Sequence, residues 1–386
     1  MRLNARDEGV FDAKLAVTGS PPRPSRSFLT FDSQHASRMQ AASRPQHLAA
    51  RGAPCCLHRT TPQRRPCRRL HCVAGLLETL SAVNAEALAR KEGSEQVGKK
   101  SGIAPLTSIP ADVAAAKPDT CARLLERLGC VSVTGVLSPT RCRSLLAFVN
   151  AENERAQREV LAGSVSFDAR FGGVNCRGIT GHPFGIRQDL FLPLSAPEVR
   201  DAIAEITSNL APFLTALSGS DAMFHEVSSL VAAPGSPRQC IHADTIVLPC
   251  PQYPDAFVEL LYTFFVALQD VEEGMGHTQF LPGTHTAGVH ELWNAAAKSE
   301  RLKALFISSQ PAQQSALKCG DAAIFDSRVL HCGCANTSQK QRVLFYFTLS
   351  KSQRWPLPGG LHGSNSMREE DRWRWQLCDF GLQRTA

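Results

Sequence analysis

The spacing of apolar residues changes period along the chain. Asp119 to Leu128 follows a helical period and opens on a Thr/Asp cap signal. Cys130 to Leu137 reads as a strand, and Ser138-Pro139 then caps a long helix to about Val160, with Leu145, Leu146, Phe148 and Val149 on its apolar side. Phe191 to Leu194 is a short apolar segment, and a helix is predicted from Ala196 to about Ala216. Strand-like runs follow at Met223–Val231, Cys240–Leu248, Phe257–Leu268, Thr278–Leu281, Ala322–Phe325 and Val343–Leu349, interrupted by a helical stretch from Val289 to Phe306. Many short strands at loose spacing predict a mainly β barrel or jelly roll with packed helices.

The flanks read differently. Leu76 to Lys91 has helical periodicity, and Glu92 to Lys117 carries the Gly, Ser and Pro of a linker. From Arg354 the chain is polar, and Trp355, Trp373 and Trp375 suit a tail packed over the core. The expected organisation is a basic segment at 1–77, a helix and linker at 78–117, a folded domain at 118–355 with its core motifs in 227–350, and a tail at 356–386.

Charge sharpens that division. Residues 1–77 hold 13 Lys and Arg against 4 Asp and Glu, whereas the remainder holds 29 against 31. The net charge of +7 therefore belongs to the N-terminal segment, and no basic stripe on the folded part points to nucleic acid. Ser33 to Leu77 has no acidic residue, while Arg38, Arg44, Arg51, Arg59, Arg64, Arg65, Arg68 and Arg69 fall within it. An Arg-rich, acid-poor start of this kind fits import into a plastid or mitochondrion. A basic tail, or a true start at Met39, fits a protein that stays in the cytoplasm. Cys55, Cys56, Cys67 and Cys72 have gaps too irregular for a zinc tetrahedron. The 14 Cys follow no disulfide spacing, and no apolar run reaches membrane-span length.

Three pieces carry chemistry. In His242-Ala243-Asp244 the two polar residues are two apart in a strand-like run, so both side chains project to one face. Alone, such a pair is as readily a hydrogen-bonded His–Asp couple. After the Gly320-Asp321 turn comes an apolar strand and then His331, which can supply a third ligand; two His and a carboxylate make the facial triad of non-haem iron(II) sites. Ten residues separate His331 from Arg342, which opens the β-type run Val343–Leu349. A charge at the start of a core strand needs a partner, and either a local acid or a dicarboxylate ligand gripped by the guanidinium fork would serve.

Together these motifs resemble the phytanoyl-CoA dioxygenase family of iron/2-oxoglutarate oxygenases. The resemblance runs from about Val227 to Ser350, through Gln239–Asp244, Val266–Val271, Phe280-Leu281-Pro282-Gly283-Thr284-His285, Gly320-Asp321, His331, Asn336 and Arg342. The helix–strand stretch from Asp119 to Val160 also resembles the family's N-terminal part. The resemblance implies a double-stranded β-helix. It implies iron(II) on His242, Asp244 and His331, 2-oxoglutarate held by Arg342, dioxygen as co-reactant, and hydroxylation of a small organic or acyl substrate with release of succinate and CO2. It further places Thr263 and Phe265 along the cosubstrate pocket, Gln239 as an orienting group, and Arg187 and Asp189 near the mouth. Some members carry a hydroxyl residue two positions after the distal His; here Gly333 stands there, leaving Thr263, Thr278 or water to replace it. Asp244 disfavours a halogenase, which leaves the carboxylate position open for halide. His285 reads as a structural turn residue, His277 and His290 as surface or loop residues, and Cys332 and Cys334 as space-filling.

Two rivals are a non-catalytic jelly-roll module that binds a metabolite beside a vestigial metal site, and a zinc hydrolase or isomerase. The second has no need of a dicarboxylate clamp. Nothing in the chain resembles a dedicated CoA-phosphate site, and the oligomeric state is not legible.

Overall fold

The computed structural model describes residues 103–172, 184–245, 247, 260–297, 299–350, 366–372 and 374–383. The basic segment at 1–77, the helix expected at Leu76–Lys91, Trp355, Trp373 and the start of the run at Phe257 lie outside the described residues.

Two sheets form the core. The larger contains β2 (Ser108–Pro110), β3 (Cys130–Thr134), β9 (Ala322–Asp326), β6 (Leu261–Ala267), β11 (Arg342–Ser350), β5 (Met223–Ala232) and β4 (Arg187–Phe191), in that spatial order. The smaller contains β1 (Ala104–Pro105), β8 (Gln313–Gln314), β7 (Thr278–Phe280) and β10 (His331–Gly333). The segment from Gln239 to Asp244 continues the smaller sheet beyond β10. Gln239 N donates to Gly333 O, and His242 and His331 exchange a pair of backbone bonds. From β5 onward the chain alternates between the sheets, with β8 an added strand of the smaller one, which is the double-stranded β-helix.

Alternation within strands builds two cores. In β6, Tyr262, Phe264 and Val266 face the helices, with Val343, Phe345 and Phe347 of β11 and Ile324 of β9. Against them lie α3 (Pro139–Leu161) and α4 (Pro197–Ser218), through Leu145, Val149, Ile203, Ile206, Leu210 and Phe213. Phe264 and Phe347 stack at 4.7 Å between ring centroids. Each buried Phe of this kind contributes about 1.5–3 kcal/mol. The opposite faces, with Phe265, Ala267, Ala323, Phe325, Leu344 and Tyr346, point between the two sheets. Both faces of the large sheet are covered, which explains why its strands read as nearly continuous apolar runs.

Several expectations need correction. Part of the stretch expected as a linker supplies β1, β2 and α1 (Ala111–Ala116), so the sheets begin before residue 118. β2 pairs in parallel with β3, a long-range partner that local composition cannot reveal. The helix α2 (Pro118–Leu128) has Pro at its first turn and no side-chain cap. It ends at Gly129 with φ 77°, where a Cβ would lie 2.4 Å from His285 Nδ1. The helix expected over Val289–Phe306 is two, α5 (Ala287–Ala296) and α6 (Glu300–Ser309), because Ser299 caps the second by accepting from Leu302 N at 3.5 Å. The strand expected from Cys240 contributes a single bridge at His242.

The C-terminal segment reaches the site through a buried charge cluster. Glu152 on α3 accepts from Arg170 and from Arg368, each at 2.5 Å. Asp371 accepts from Leu194 N at 2.8 Å, and Val227 N donates to Ser366 O at 2.9 Å. These bonds hold Ser366 against β5. Met367, Leu377 and Phe380 bury in the helix-side core, with Trp375 packed on it, as a covering tail requires.

Candidate active site

β10 and the bridged segment beside it bring His242, Asp244 and His331 together. Asp244 Oδ1 lies 3.6 Å from His242 Nε2 and 3.7 Å from His331 Nε2. One ligand atom from each residue falls within 4.8 Å of the others. Each imidazole is fixed by the backbone two residues before it: His242 Nδ1 donates to Cys240 O and His331 Nδ1 to Val329 O, both at 2.9 Å. A carbonyl can only accept, so Nδ1 carries the proton and Nε2 keeps its lone pair toward Asp244. His331 is buried against Phe265, Phe280 and Phe325. That burial holds its pKa below the usual imidazole value, against the pull of Asp244, and so favours the neutral ligand form. Two imidazoles and a carboxylate suit iron(II) with open coordination positions.

Arg342 is 1% exposed at the start of β11. Its Nη1 donates to Gly276 O, its Nε has no hydrogen-bond partner, and no acid among the described residues pairs with it. Burial, with Arg187 nearby, pulls its pKa down to about 9. Such a group calls for an anion. Arg342 faces a cavity of about 270 Å³ that also contains His242, Asp244, His331, Gln239, Thr263, Phe265 and Thr278. The donor set and the orphaned guanidinium therefore fit iron(II) and a dicarboxylate.

Arg187 and Asp189 are both 2% exposed, so neither sits at the rim where the resemblance put them. Arg187 Nη2 donates to Pro237 O at 3.0 Å and Cys334 O at 3.1 Å. Asp189 lines the cavity and accepts from Ser228, Tyr346 and Ser366 at 2.5, 2.9 and 2.6 Å. Gly333 explains its own lack of a side chain. Gln239 Oε1 accepts from its N–H at 2.8 Å, and a Cβ there would lie 2.6 Å from Gln239 Oε1 and 2.7 Å from Arg187 Nη1. Arg187 and Gln239 thus fill the space a hydroxyl residue would take. Thr263 bonds to Thr348 at 2.9 Å instead. Gly333→Ala should leave the protein folded yet weaken 2-oxoglutarate binding about tenfold, since Arg187 is anchored and yields at a cost of about 1–3 kcal/mol. Calorimetric titration checks this, and unchanged affinity would contradict it.

His285 Nε2 donates to Glu126 O at 2.9 Å, a structural bond. His290, expected at the surface, is buried on α5 and donates to Arg328 O at 2.7 Å.

Sequence reading passed over Glu226, Ser228, Tyr346, Thr348 and Ser366, which also line the cavity or bond its acids. An acid at position 226 inside the apolar run Met223–Val231 was the available signal. Thr348 donates to Glu226 at 2.6 Å. Burial, then the Asp244 and Asp189 charges, push the Glu226 carboxyl up to about 8. In the unfolded chain it ionises near its ordinary value of 4.5. The folded state therefore loses stability as pH rises from that value through about 8. Glu226→Gln should raise the melting temperature of metal-free protein more at pH 9 than at pH 5, and an equal gain at both would contradict this.

A family model described as phytanoyl-CoA dioxygenase (PhyH) matches residues 125–344. The chain belongs to the phytanoyl-CoA dioxygenase family. It is a 2-oxoglutarate-dependent dioxygenase-like enzyme, and its His–Asp–His group could hold a metal ion. Among solved structures it is similar to the non-haem alpha ketoglutarate dependent carbocyclase SnoK from nogalamycin biosynthesis, 20% identical over 60% of this chain and 83% of that one, with TM-score 0.42. AviO1 from Streptomyces viridochromogenes Tue57 is 17% identical over 63% and 98%, with TM-score 0.43. HygX from Streptomyces hygroscopicus, solved with nickel and 2-oxoglutarate bound, is 15% identical over 59% and 85%, with TM-score 0.42. No curated protein matches the sequence. Among the described residues no helix is long and apolar enough to cross a membrane.

Proposed function

We propose that the chain hydroxylates a small organic or acyl substrate at the expense of 2-oxoglutarate and dioxygen, releasing succinate and CO2. In this reading His242, Asp244 and His331 hold iron(II), and Arg342 grips the distal carboxylate of 2-oxoglutarate. Thr263, Phe265 and Gln239 shape the cosubstrate space. Arg187, anchored beside Gly333, adds a second positive charge at that end. The single observation that carries the reading is a buried guanidinium with no acid partner among the described residues, facing the same cavity as two imidazoles and a carboxylate.

The bound iron supplies the redox chemistry that couples dioxygen to oxidative decarboxylation and substrate oxidation. The protein's own residues do the rest. The two backbone carbonyls orient the imidazoles, and the neutral state of His331 keeps its lone pair free. Phe265, Phe280 and Phe325 keep water from the buried side of the site. Asp189 and its three hydroxyl donors fix the polar wall on which substrate would rest.

The test is succinate release from the full chain given 2-oxoglutarate in air. Slow release with iron(II), and none with zinc(II) in its place, is expected. Equal behaviour with both metals would overturn the reading.

A further inference from the structure

The two ends of the cavity differ in charge, and strand register fixes which end is which. Arg342 stands opposite Ala232 of β5, and Arg187 stands opposite the same residue from β4. Next along the inner face come Leu344 and, on β6, Phe265 opposite Tyr346. Thr348 then stands opposite Glu226 on one side and Thr263 on the other. Thr348 lies six steps along extended strand from Arg342, about 20 Å. One end is thus guanidinium, the middle apolar beneath His331, and the far end carboxyl and hydroxyl.

Asp189 stands opposite Leu230, midway along the cavity, and Glu226 stands at the far end. Asp189 is bonded by the hydroxyls of Ser228, Tyr346 and Ser366, and Glu226 by the Thr348 hydroxyl and the Ser366 backbone N–H. Among the described residues no Lys or Arg forms an ion pair with either. Asp189 has both oxygens engaged and is fully buried, whereas Glu226 is half-buried. Glu226 is therefore the acid a cavity ligand can reach.

We propose that Glu226 is the substrate-anchoring residue of this cavity, and that the substrate it selects carries a basic nitrogen held at the end opposite Arg342. This rests on the reading that the Arg342 end belongs to the cosubstrate. A cation at Glu226 provides a countercharge that no described residue supplies and relieves the repulsion between Glu226 and Asp189. A carboxylate there finds no cation to pair with among the described residues. The raised affinity of Glu226 for its proton, described above, is the same deficit seen without ligand.

Three probes share a ring and differ in one head group: cyclohexylmethylamine, cyclohexylmethanol and cyclohexanecarboxylate. Their binding to the full chain loaded with zinc(II) and 2-oxoglutarate, measured by calorimetry at neutral pH, tests the proposal. The amine should bind at least about tenfold tighter than either other probe. In Glu226→Gln the amine should fall to the level of the alcohol, while Glu226→Asp should keep part of the preference. No amine preference in the parent chain, or a preference that survives Glu226→Gln, would overturn it. Arg342→Ala separates the two readings: it should lose 2-oxoglutarate binding and keep the amine preference. If the parent chain prefers the amine yet binds no 2-oxoglutarate, the cosubstrate reading fails and the anchoring role stands.

Discussion

Replacing Arg342 by Met should weaken 2-oxoglutarate binding by about a hundredfold to a thousandfold while raising the stability of the ligand-free protein. The two effects share one cause. Arg342 is buried, its Nε is unbonded, and no acid among the described residues neutralises it. Folding without a ligand therefore carries the desolvation of a guanidinium that the Nη1 bond to Gly276 only partly offsets. Met fills much of the same volume without charge, and such exchanges can gain about 1–4 kcal/mol. Binding loses its anchor in return, and truncating one member of a buried charge pair costs about 2–5 kcal/mol. Arg342→Lys should recover part of the affinity, because it restores charge without the two-pronged fork. Calorimetric titration and thermal melting read both arms. A destabilised variant with unchanged affinity would mean that Arg342 is a structural residue.

The second large effect concerns Asp244. Asp244→Ala should reduce iron-dependent succinate release by at least about a thousandfold, or some 4 kcal/mol in barrier. Its carboxylate is about one-third exposed and accepts no hydrogen bond from the described residues, so the variant should melt close to the parent. His331→Ala is expected to be as inactive and less stable, since His331 packs among three phenylalanines. The contrast between the two variants separates chemistry from packing. Full activity in Asp244→Ala would sink the assignment of the metal site.

What could be read from the chain alone follows from which forces are local. Alternating and continuous apolar runs marked β5, β6, β9 and β11, because strand faces obey a period of two wherever the sheet lies. Ser138-Pro139 marked the start of α3, because capping involves a single turn; Ser138 Oγ accepts from Arg141 N at 3.3 Å. Spacing brought His242 and Asp244 to one face, and order along the chain suggested His331 and Arg342. β1, β2 and β8 escaped, being two or three residues long and defined by partners far away in sequence. Glu226 escaped for a related reason. Its meaning depends on Thr348, Asp189 and Asp244, which only the register of three strands assembles. Arg187 and Asp189 could be suspected but not located, since Arg187 is fixed by Pro237 and Cys334 and Asp189 by Ser366, all distant in sequence.

The central claim is that one cavity holds a metal on the His–Asp–His set and a dicarboxylate on Arg342. Visible absorption of residues 78–386 under anaerobic conditions, with iron(II) and then 2-oxoglutarate added, tests it most directly. A weak charge-transfer band should grow on addition of 2-oxoglutarate and be lost in both His331→Ala and Arg342→Ala. Absence of the band, with iron failing to bind, would contradict the account and leave a metabolite-binding jelly roll in its place.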